Sequence, residues 1–456
     1  MQVYNTLTRR EEELKPVNPK SVGLYSCGPT VYDSAHIGNL RNYLFVDLLF
    51  RTMRETFGSV RWVMNVTDVD DKTIRGAVAA YGPSAGVAEL HAHTTQFLET
   101  FKSDLLQMGV DIPAVEFIRV VDAIPQIAEF IKDLLSKGYA YKTEDGVYFN
   151  IEKYQQDFGD YGTLVGEHFL EGKKTGARVK VDEYEKDNLS DFALWKSRSA
   201  EDGEIYWHDD ELGDGRPGWH IECSVVNHMA FGDTSTDVHT GGVDLIFPHH
   251  TNEIAQSQPF VKPFVRYWVH GEHLLVDGRK MSKSLGNFYT LKDILDRGFD
   301  PLALRYLTLQ AHYRTKLNFT WEALEGAQNA LRRLYSIARS LPQVAAGTAP
   351  KEFTDALAND LNTPQALAAM WTMLDDQQMT PVDKSAALLV MDKVLGLRLD
   401  DYLGKPVEVP ADVLELGKQR EAARASKDWK KSDELRDLII LKGFAVEDTP
   451  DGQKIH

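Results

Sequence analysis

Two separated stretches, His36-Ile37-Gly38-Asn39 and Lys280-Met281-Ser282-Lys283-Ser284, carry residue types suited to nucleotidyl transfer. The first follows an apolar strand pattern and opens a helical one. A helix N-terminus, a neutral imidazole and an amide would therefore converge where a phosphate can sit. The second lies on a Gly- and Lys-rich loop after another strand, and its two ammonium groups can meet charge developing on a leaving pyrophosphate. No P-loop is needed. His36, Gly38, Asn39, Lys280 and Lys283 read together as the phosphate-handling residues of an ATP-using, adenylate-forming enzyme.

A second constellation has the donor atoms of a metal site. The chain has two cysteines: Cys27, at a strand end, and Cys223, in Trp219-His220-Ile221-Glu222-Cys223. His249 and Glu253 lie four apart after Pro248, a spacing that puts both side chains on one face of a starting helix. Two thiolates, an imidazole and a carboxylate would complete a tetrahedral Zn²⁺ site. From the residues alone the blander account is preferred. Single cysteines far apart in sequence are usually buried small hydrophobes, and no C-x-x-C pair is present.

The elements that must carry these groups can be read from periodicity. Val22 to Cys27 reads as a buried strand closed by the Cys27-Gly28-Pro29-Thr30 turn. A helix starts near His36 with Ile37, Leu40, Leu44 and Leu48 on one face. Val60 to Val66 is a second strand ending in Thr67-Asp68-Val69-Asp70-Asp71. Right-handed crossover of this βαβ unit brings the Cys27 and Thr67 turns side by side at the carboxyl ends of a parallel sheet, where such folds bind ligands. The acidic Asp68-Asp70-Asp71 run is read as local pairing and turn chemistry rather than a second metal site.

After about Ile112 the pattern changes. A helix is expected near Ile124 to Lys137 and a strand at Gly146 to Asn150. The charged runs from Glu167 to Asp214 read as an exposed, partly mobile insertion. Gly213-x-Gly215-x-x-Gly218 matches a dinucleotide-binding string but has no preceding strand and contains Pro217, so it is read as loop. Buried strands return at Thr236 to Phe247 and at Val265 to Val276. From about Asp300 the chain becomes helical. Leu324, Ala327, Leu331, Leu334 and Ala338 form one stripe, and Val382, Ala386, Leu389 and Val390 another. Gln343 to Pro350 is a loop. A charged helix is expected from Ala411 past Arg436, then a strand-like Gly443 to Val446.

The expected fold is α/β: a doubly wound, Rossmann-like catalytic domain with an insertion, a helical bundle, and a small C-terminal α+β domain. The expected boundaries are 1–112 and 215–299 for the two catalytic halves, 113–214 for the insertion, 300–400 for the helical bundle and 401–456 for the C-terminal domain. At 456 residues and 43% hydrophobic content, the chain can bury several domains. Its charged N-terminus lacks a signal core and no apolar run reaches the length of a membrane span, which reads as a soluble, cytoplasmic protein. A net charge of −17 argues against a general nucleic-acid coat protein but leaves a specific RNA partner open.

Several motifs occur here in the order seen in cysteinyl-tRNA synthetases of class I, and the chain resembles that family over nearly its whole length. They are Cys27-Gly28-Pro29-Thr30-Val31-Tyr32-Asp33, the HIGN tetrapeptide, Thr67 to Lys72, Gly218 to Ser224, Phe247-Pro248-His249-His250, Asn252 to Gln256 and the KMSKS loop. Arg424, Lys427-Asp428-Trp429 and Asp433 extend the resemblance to the tail. Thr251 departs from it where the family usually has glutamate, and the segment between Cys223 and His239 differs by one residue. Neither change touches a candidate ligand.

The resemblance implies one Zn²⁺ held by Cys27, Cys223, His249 and Glu253. A metal that prefers sulfur would select the cysteine thiolate over serine's hydroxyl, so no editing domain would be needed. It further implies that Asp244 holds the substrate ammonium, that Cys27, Thr67, Trp219 and His239 line the cysteine pocket, and that His36, Gly38, Asn39, Lys280 and Lys283 handle ATP with Mg²⁺. The partners would be L-cysteine, ATP and tRNA(Cys), with no membrane and a monomeric state. Arg424, Trp429 and Asp433 would contact the anticodon, Trp429 by stacking. From composition alone, that segment is an ordinary solvated helix with its tryptophan in a small core. Two other activities fit parts of the sequence: a related zinc-dependent ligase joining cysteine to an amino sugar in mycothiol synthesis, and a zinc hydrolase built on His249, His250 and Glu253.

Overall fold

The computed structural model describes residues 1–166, 174–178, 188–282, 285–405, 409–442, 444, 446–449 and 452–455. The chain forms two compact units. The first comprises Met1–Gln328, Pro350–Thr372 and Lys393–Leu397, and the second Asn329–Ala349, Met373–Asp392 and Arg398–His456.

The first unit is organised by five parallel strands, β1 (Val22–Ser26), β2 (Val60–Val66), β3 (Val115–Arg119), β4 (Thr236–Gly242) and β5 (Val265–Gly271), in the order β5-β4-β1-β2-β3. Both faces of β1 are covered, which is why Val22 to Ser26 is buried at every residue. From β1 the chain moves outward through β2 and β3, then returns to lay β4 on the other side of β1. That reversal opens a crevice beyond the carboxyl ends of β1 and β4, the place where doubly wound sheets bind ligands. Helix α1 (Ile37–Phe57) connects β1 to β2, and its buried face includes the expected Ile37, Leu40, Leu44 and Leu48.

Several expected elements have different bounds. β4 stops at Gly242 because Val243–Leu245 turns as a 3₁₀ helix, so the run to Phe247 is not one strand. The run from Val265 to Val276 is two strands. β5 ends at Gly271, whereas Leu274–Val276 leaves the central sheet and pairs in parallel with Leu317–Phe319 and antiparallel with Arg279–Lys280. A continuous apolar run conceals such a change of partner, because each strand is equally buried in its own sheet.

The insertion is also more ordered than its charge implied. Part of Glu167 to Asp214 lies outside the described residues. Within the described part, Ala193–Ser197 sits in a four-stranded antiparallel sheet between Gly146–Phe149 and Gly215–Pro217. Phe192, Leu194, Trp195 and Ile205 are buried. Gly215–Pro217 is thus a short strand just before a helix, where a loop was expected. Its glycines have a packing reason: a Cβ on Gly215 or Gly218 would collide with the carbonyl oxygens of Lys196 or Ala193.

In the second unit, the single charged helix expected from Ala411 is two helices, Ala411–Ala425 and Trp429–Leu441. Lys427 adopts a left-handed φ of 58°, and the Asp428 side chain caps the second helix by accepting from the Lys431 N–H at 3.2 Å. Val446–Thr449 pairs with Gly452–Ile455 as a hairpin, a partner strand not foreseen, while Gly443 and Ala445 lie outside the described residues. On the helix Pro381–Leu395 the buried apolar positions are Ala387, Leu388, Met391, Val394 and Leu395, and Val382 is exposed. The helical period was right and its phase was wrong. The stripe from Leu324 to Ala338 is buried as expected.

Candidate active site and metal centre

Four donor side chains meet at the crevice. Cys27 follows the last residue of β1. Cys223 lies in helix α2 (Trp219–Phe231), whose glycine-rich approach lets it press against the insertion sheet. His249 and Glu253 come from the turn and short helix α3 (Thr251–Ser257) after β4. All four are buried. Cys27 Sγ and Cys223 Sγ are 3.7 Å apart, His249 Nε2 is 3.3 Å from Cys223 Sγ, and Glu253 Oε1 is 3.2 Å from His249 Nε2 and 3.7 Å from Cys27 Sγ.

These separations match the edges a tetrahedral metal site would require. An edge is about 1.63 times a bond length, so Zn–S bonds of ~2.3 Å and Zn–N or Zn–O bonds of ~2.0–2.1 Å call for edges of ~3.8 Å and ~3.3–3.5 Å. The sulfurs are much too far apart for a disulfide, which needs ~2.05 Å. A second set, Cys27, His239, His250 and Glu253, is also within ligand range of itself. It is the weaker set because His250 Nε2 stands 3.9 Å from Glu253 Oε1 and the set has a single thiolate. His239 instead has its own partner, the other carboxylate oxygen of Glu253, at 2.9 Å.

A ring of imidazoles surrounds the four donors. His249 Nδ1 is 3.0 Å from His220 Nδ1, His250 Nδ1 is 2.7 Å from His270 Nε2, and His270 Nδ1 is 2.7 Å from Thr6 Oγ1. Burial pulls His220, His249 and His270 down to about 3, so these rings are neutral at neutral pH. A cation on Nε2 of His249 would leave the proton on Nδ1, placed 3.0 Å from His220 Nδ1 to donate to it. Burial raises the Cys27 and Cys223 thiols. His220 and His270 were not foreseen as site residues. The available signal was a histidine inside an otherwise apolar buried strand, as with His239 in β4 and His270 in β5.

Of the other residues expected to line a cysteine pocket, Trp219 lies against this centre. Trp219 stacks on His249 with ring centroids 4.3 Å apart. Thr67 is buried at the end of β2, where its backbone exchanges hydrogen bonds of 3.0 and 3.1 Å with Pro29 and Val31. Gly28 permits that approach, since a Cβ there would collide with the Asn65 carbonyl oxygen. The acidic run after Thr67 is structural. Asp68 binds Arg119 at 2.6 Å, Asp70 caps the next helix, and Asp71 pairs with Arg216 and Lys196. Asp244 is exposed just beyond β4, and its carboxylate acts on His36.

His36 is the N-cap of α1: its Nδ1 accepts from the Asn39 N–H at 3.1 Å. The proton is therefore on Nε2, free to be donated outward. Burial holds the imidazole below the ordinary histidine range, partly offset by Asp244. The Ile37 N–H donates to the Tyr289 carbonyl at 2.9 Å, just past the KMSKS loop, and a Cβ on Gly38 would lie 3.0 Å from the His36 ring and 3.6 Å from Met281 Cε. The two signature motifs thus face each other. Lys280 is exposed on the return strand of the hairpin, and Lys283 lies outside the described residues.

In the second unit, Trp429 is 57% exposed, which removes the reading of a core-anchored tryptophan. The Arg424 guanidinium stands 5.9 Å from its ring centroid while binding Asp448 at 2.8 Å, and Asp433 is exposed one turn along the same helix as Trp429.

Comparison with known proteins places residues 13–329 in the family described as tRNA synthetases class I (C) catalytic domain. The chain is 44% identical to the cysteine–tRNA ligase of Chlamydia muridarum, over 99% of this chain and 98% of that one. It is 42% identical to that of Protochlamydia amoebophila, over 100% and 97%. Among solved structures, Mycobacterium tuberculosis methionyl-tRNA synthetase in complex with methionyl-adenylate superposes with a TM-score of 0.56 at 15% identity, covering 83% of this chain and 90% of that chain.

Proposed function

The chain belongs to the class I cysteine–tRNA ligases, and from that premise we propose that Cys27, Cys223, His249 and Glu253 hold a zinc ion that selects the substrate by its sulfur. The reaction is the ATP-dependent joining of cysteine to tRNA, with Mg²⁺ accompanying the nucleotide. The observation that carries the zinc assignment is the set of donor separations, 3.7, 3.3 and 3.2 Å, matched to a tetrahedral cation held by four buried side chains. When bound, zinc would supply a soft-metal bond that a thiol forms well and a hydroxyl poorly.

The protein residues do the rest. His239 orients Glu253, and His220 fixes the His249 tautomer. Trp219 and Thr67 wall the pocket, while the exposed carboxylate of Asp244 is suited to the substrate ammonium. The Gly38 N–H and the outward Nε2–H of His36 offer donors to the phosphates, with Asn39 beside them. Lys280 and Lys283 neutralise the departing pyrophosphate. The product adenylate is then attacked by the terminal ribose of tRNA.

We assign 113–214 as the insertion between the catalytic halves 1–112 and 215–299, 300–400 as the segment serving the tRNA stem, and 401–456 as the anticodon reader. The chain is read as a cytoplasmic monomer; no helix among the described residues is long and apolar enough to cross a membrane.

The test is ATP-dependent attachment of labelled cysteine to unfractionated tRNA in the presence of excess serine. Attachment indifferent to serine is the expected result. Attachment that serine suppresses in proportion to its concentration would refute sulfur selection. A separate check concerns Trp429. Losing a stacked base costs ~1–3 kcal/mol, so Trp429→Ala should reduce tRNA charging at limiting tRNA by ~5–100-fold. Cysteine-dependent ATP–pyrophosphate exchange should be unchanged. Equal loss in both assays would remove Trp429 from the RNA surface.

A further inference from the structure

Arg41 is a buried arginine on α1, five residues after His36; the Glu272 carboxylate is the charge that acts on it, but its hydrogen bonds go elsewhere. Its guanidinium donates to three backbone carbonyls: Nη1 to Glu272 at 2.8 Å and to His273 at 2.6 Å, and Nη2 to Thr315 at 2.6 Å. Those carbonyls belong to two separate segments. Glu272 and His273 bridge β5 to Leu274–Val276, the outgoing arm of the hairpin whose return arm carries Lys280 opposite Leu275. Thr315 precedes Leu317–Phe319, the strand on which that outgoing arm is paired.

Arg41 therefore touches the root of the KMSKS hairpin and the strand that supports it. It does so from the helix whose first turn carries the other signature motif. Phe45, one turn further along α1, stacks on Tyr313 with centroids 4.6 Å apart and planes within 6°, on the same joint. Burying a charged group is costly, and burial draws this guanidinium down to about 10. A planar fork that meets three carbonyls of fixed direction gives a definite geometry in return, which a flexible ammonium cannot reproduce.

We propose that Arg41 is a positioning residue that sets the register between the HIGN helix and the KMSKS hairpin. It touches no substrate. It acts by holding His36 and Lys280 at the separation needed when charge builds on the pyrophosphate. The inference rests on the reading that both motifs act on the nucleotide.

Its effect should fall on turnover rather than on cysteine binding, because the donor cluster at Cys27 and Cys223 does not lie on the Arg41 joint. A misplacement of ~1 Å at a reacting centre costs ~10²-fold in rate. In cysteine-dependent ATP–pyrophosphate exchange, zinc-loaded Arg41→Met should therefore lose ~10²-fold in kcat with KM for cysteine within about twofold of the parent. Arg41→Lys, able to reach some of the carbonyls, should recover part of that loss and remain ~10-fold slow. Zinc content should stay at the parent value in both variants. The Lys variant keeps the test decisive where Met prevents folding. A folded Arg41→Lys protein with parental kcat, or one in which KM for cysteine rises as much as kcat falls, would overturn the inference. Absence of exchange in the parent chain would instead strike the underlying reading of the two motifs.

Discussion

Cys223→Ser is expected to abolish stoichiometric zinc and, in the same step, cut the preference for cysteine over serine to what pocket shape alone provides. Cys223 is wholly buried, with its sulfur 3.7 Å from Cys27 and 3.3 Å from His249. A serine hydroxyl there would remain protonated, and its oxygen sits closer to the backbone than sulfur does, so one edge of the tetrahedron lengthens as the ligand weakens. Even disturbing an outer-shell partner of a metal ligand costs ~10–100-fold in affinity, and losing a ligand outright should cost more than ~10²-fold. Without a soft-metal contact, the pocket is left with shape alone, which discriminates by only ~10–200-fold. Metal analysis after dialysis against a chelator gives the first readout. ATP–pyrophosphate exchange with cysteine and with serine gives the second. One zinc per chain retained by the folded variant would refute Cys223 as a ligand.

His36 should show the second large effect, and two substitutions separate its roles. As the N-cap it accepts the Asn39 N–H, a contribution worth ~1 kcal/mol to stability. In its proposed role it donates from Nε2 where phosphate charge develops, and loss of one such donor typically costs ~10²–10³-fold in kcat. Asparagine keeps a good capping side chain but not the imidazole. His36→Asn should thus unfold at nearly the parental urea concentration while losing ~10²–10³-fold in pyrophosphate exchange. His36→Ala should lose both. Because burial holds the ring below the ordinary value of 6.5, the neutral donor persists through that pH. Exchange activity limited by His36 should stay level there and decline only in more acid solution. Parental turnover in the Asn variant would confine His36 to capping.

Much of the site was legible because its groups sit at element ends, where sequence signals are strong. The Cys27 and Thr67 turns were expected to lie side by side, and Thr30 bridges Thr67 in parallel register. The i, i+4 placement of His249 and Glu253 brings their side chains to 3.2 Å. What periodicity could not convey was a change of partner. Val265 to Val276 reads as one apolar run, yet at Glu272 it leaves one sheet for another. Charge misled in the insertion for a related reason. Arg216 and Asp202 are buried against each other and against Asp71, so their charges face inward instead of marking a solvated loop. His220 and His270 were missed because they come from a helix and a strand far apart in the chain, which only the fold brings to His249 and His250.

The donor cluster draws on residues 226 positions apart in the chain, from Cys27 to Glu253. At a synthesis rate of ~5–20 residues per second, the Cys27 thiol leaves the ribosome roughly ten to fifty seconds before its last partner exists. During that interval β1, α1 and β2 can form, but β4 and α3, which complete the centre, have not been made. Capture of the proposed zinc would therefore be a late event in the birth of this protein. A nascent chain halted before Glu253 should be unable to retain zinc in this site, which makes the ion a witness that both halves of the catalytic fold have met.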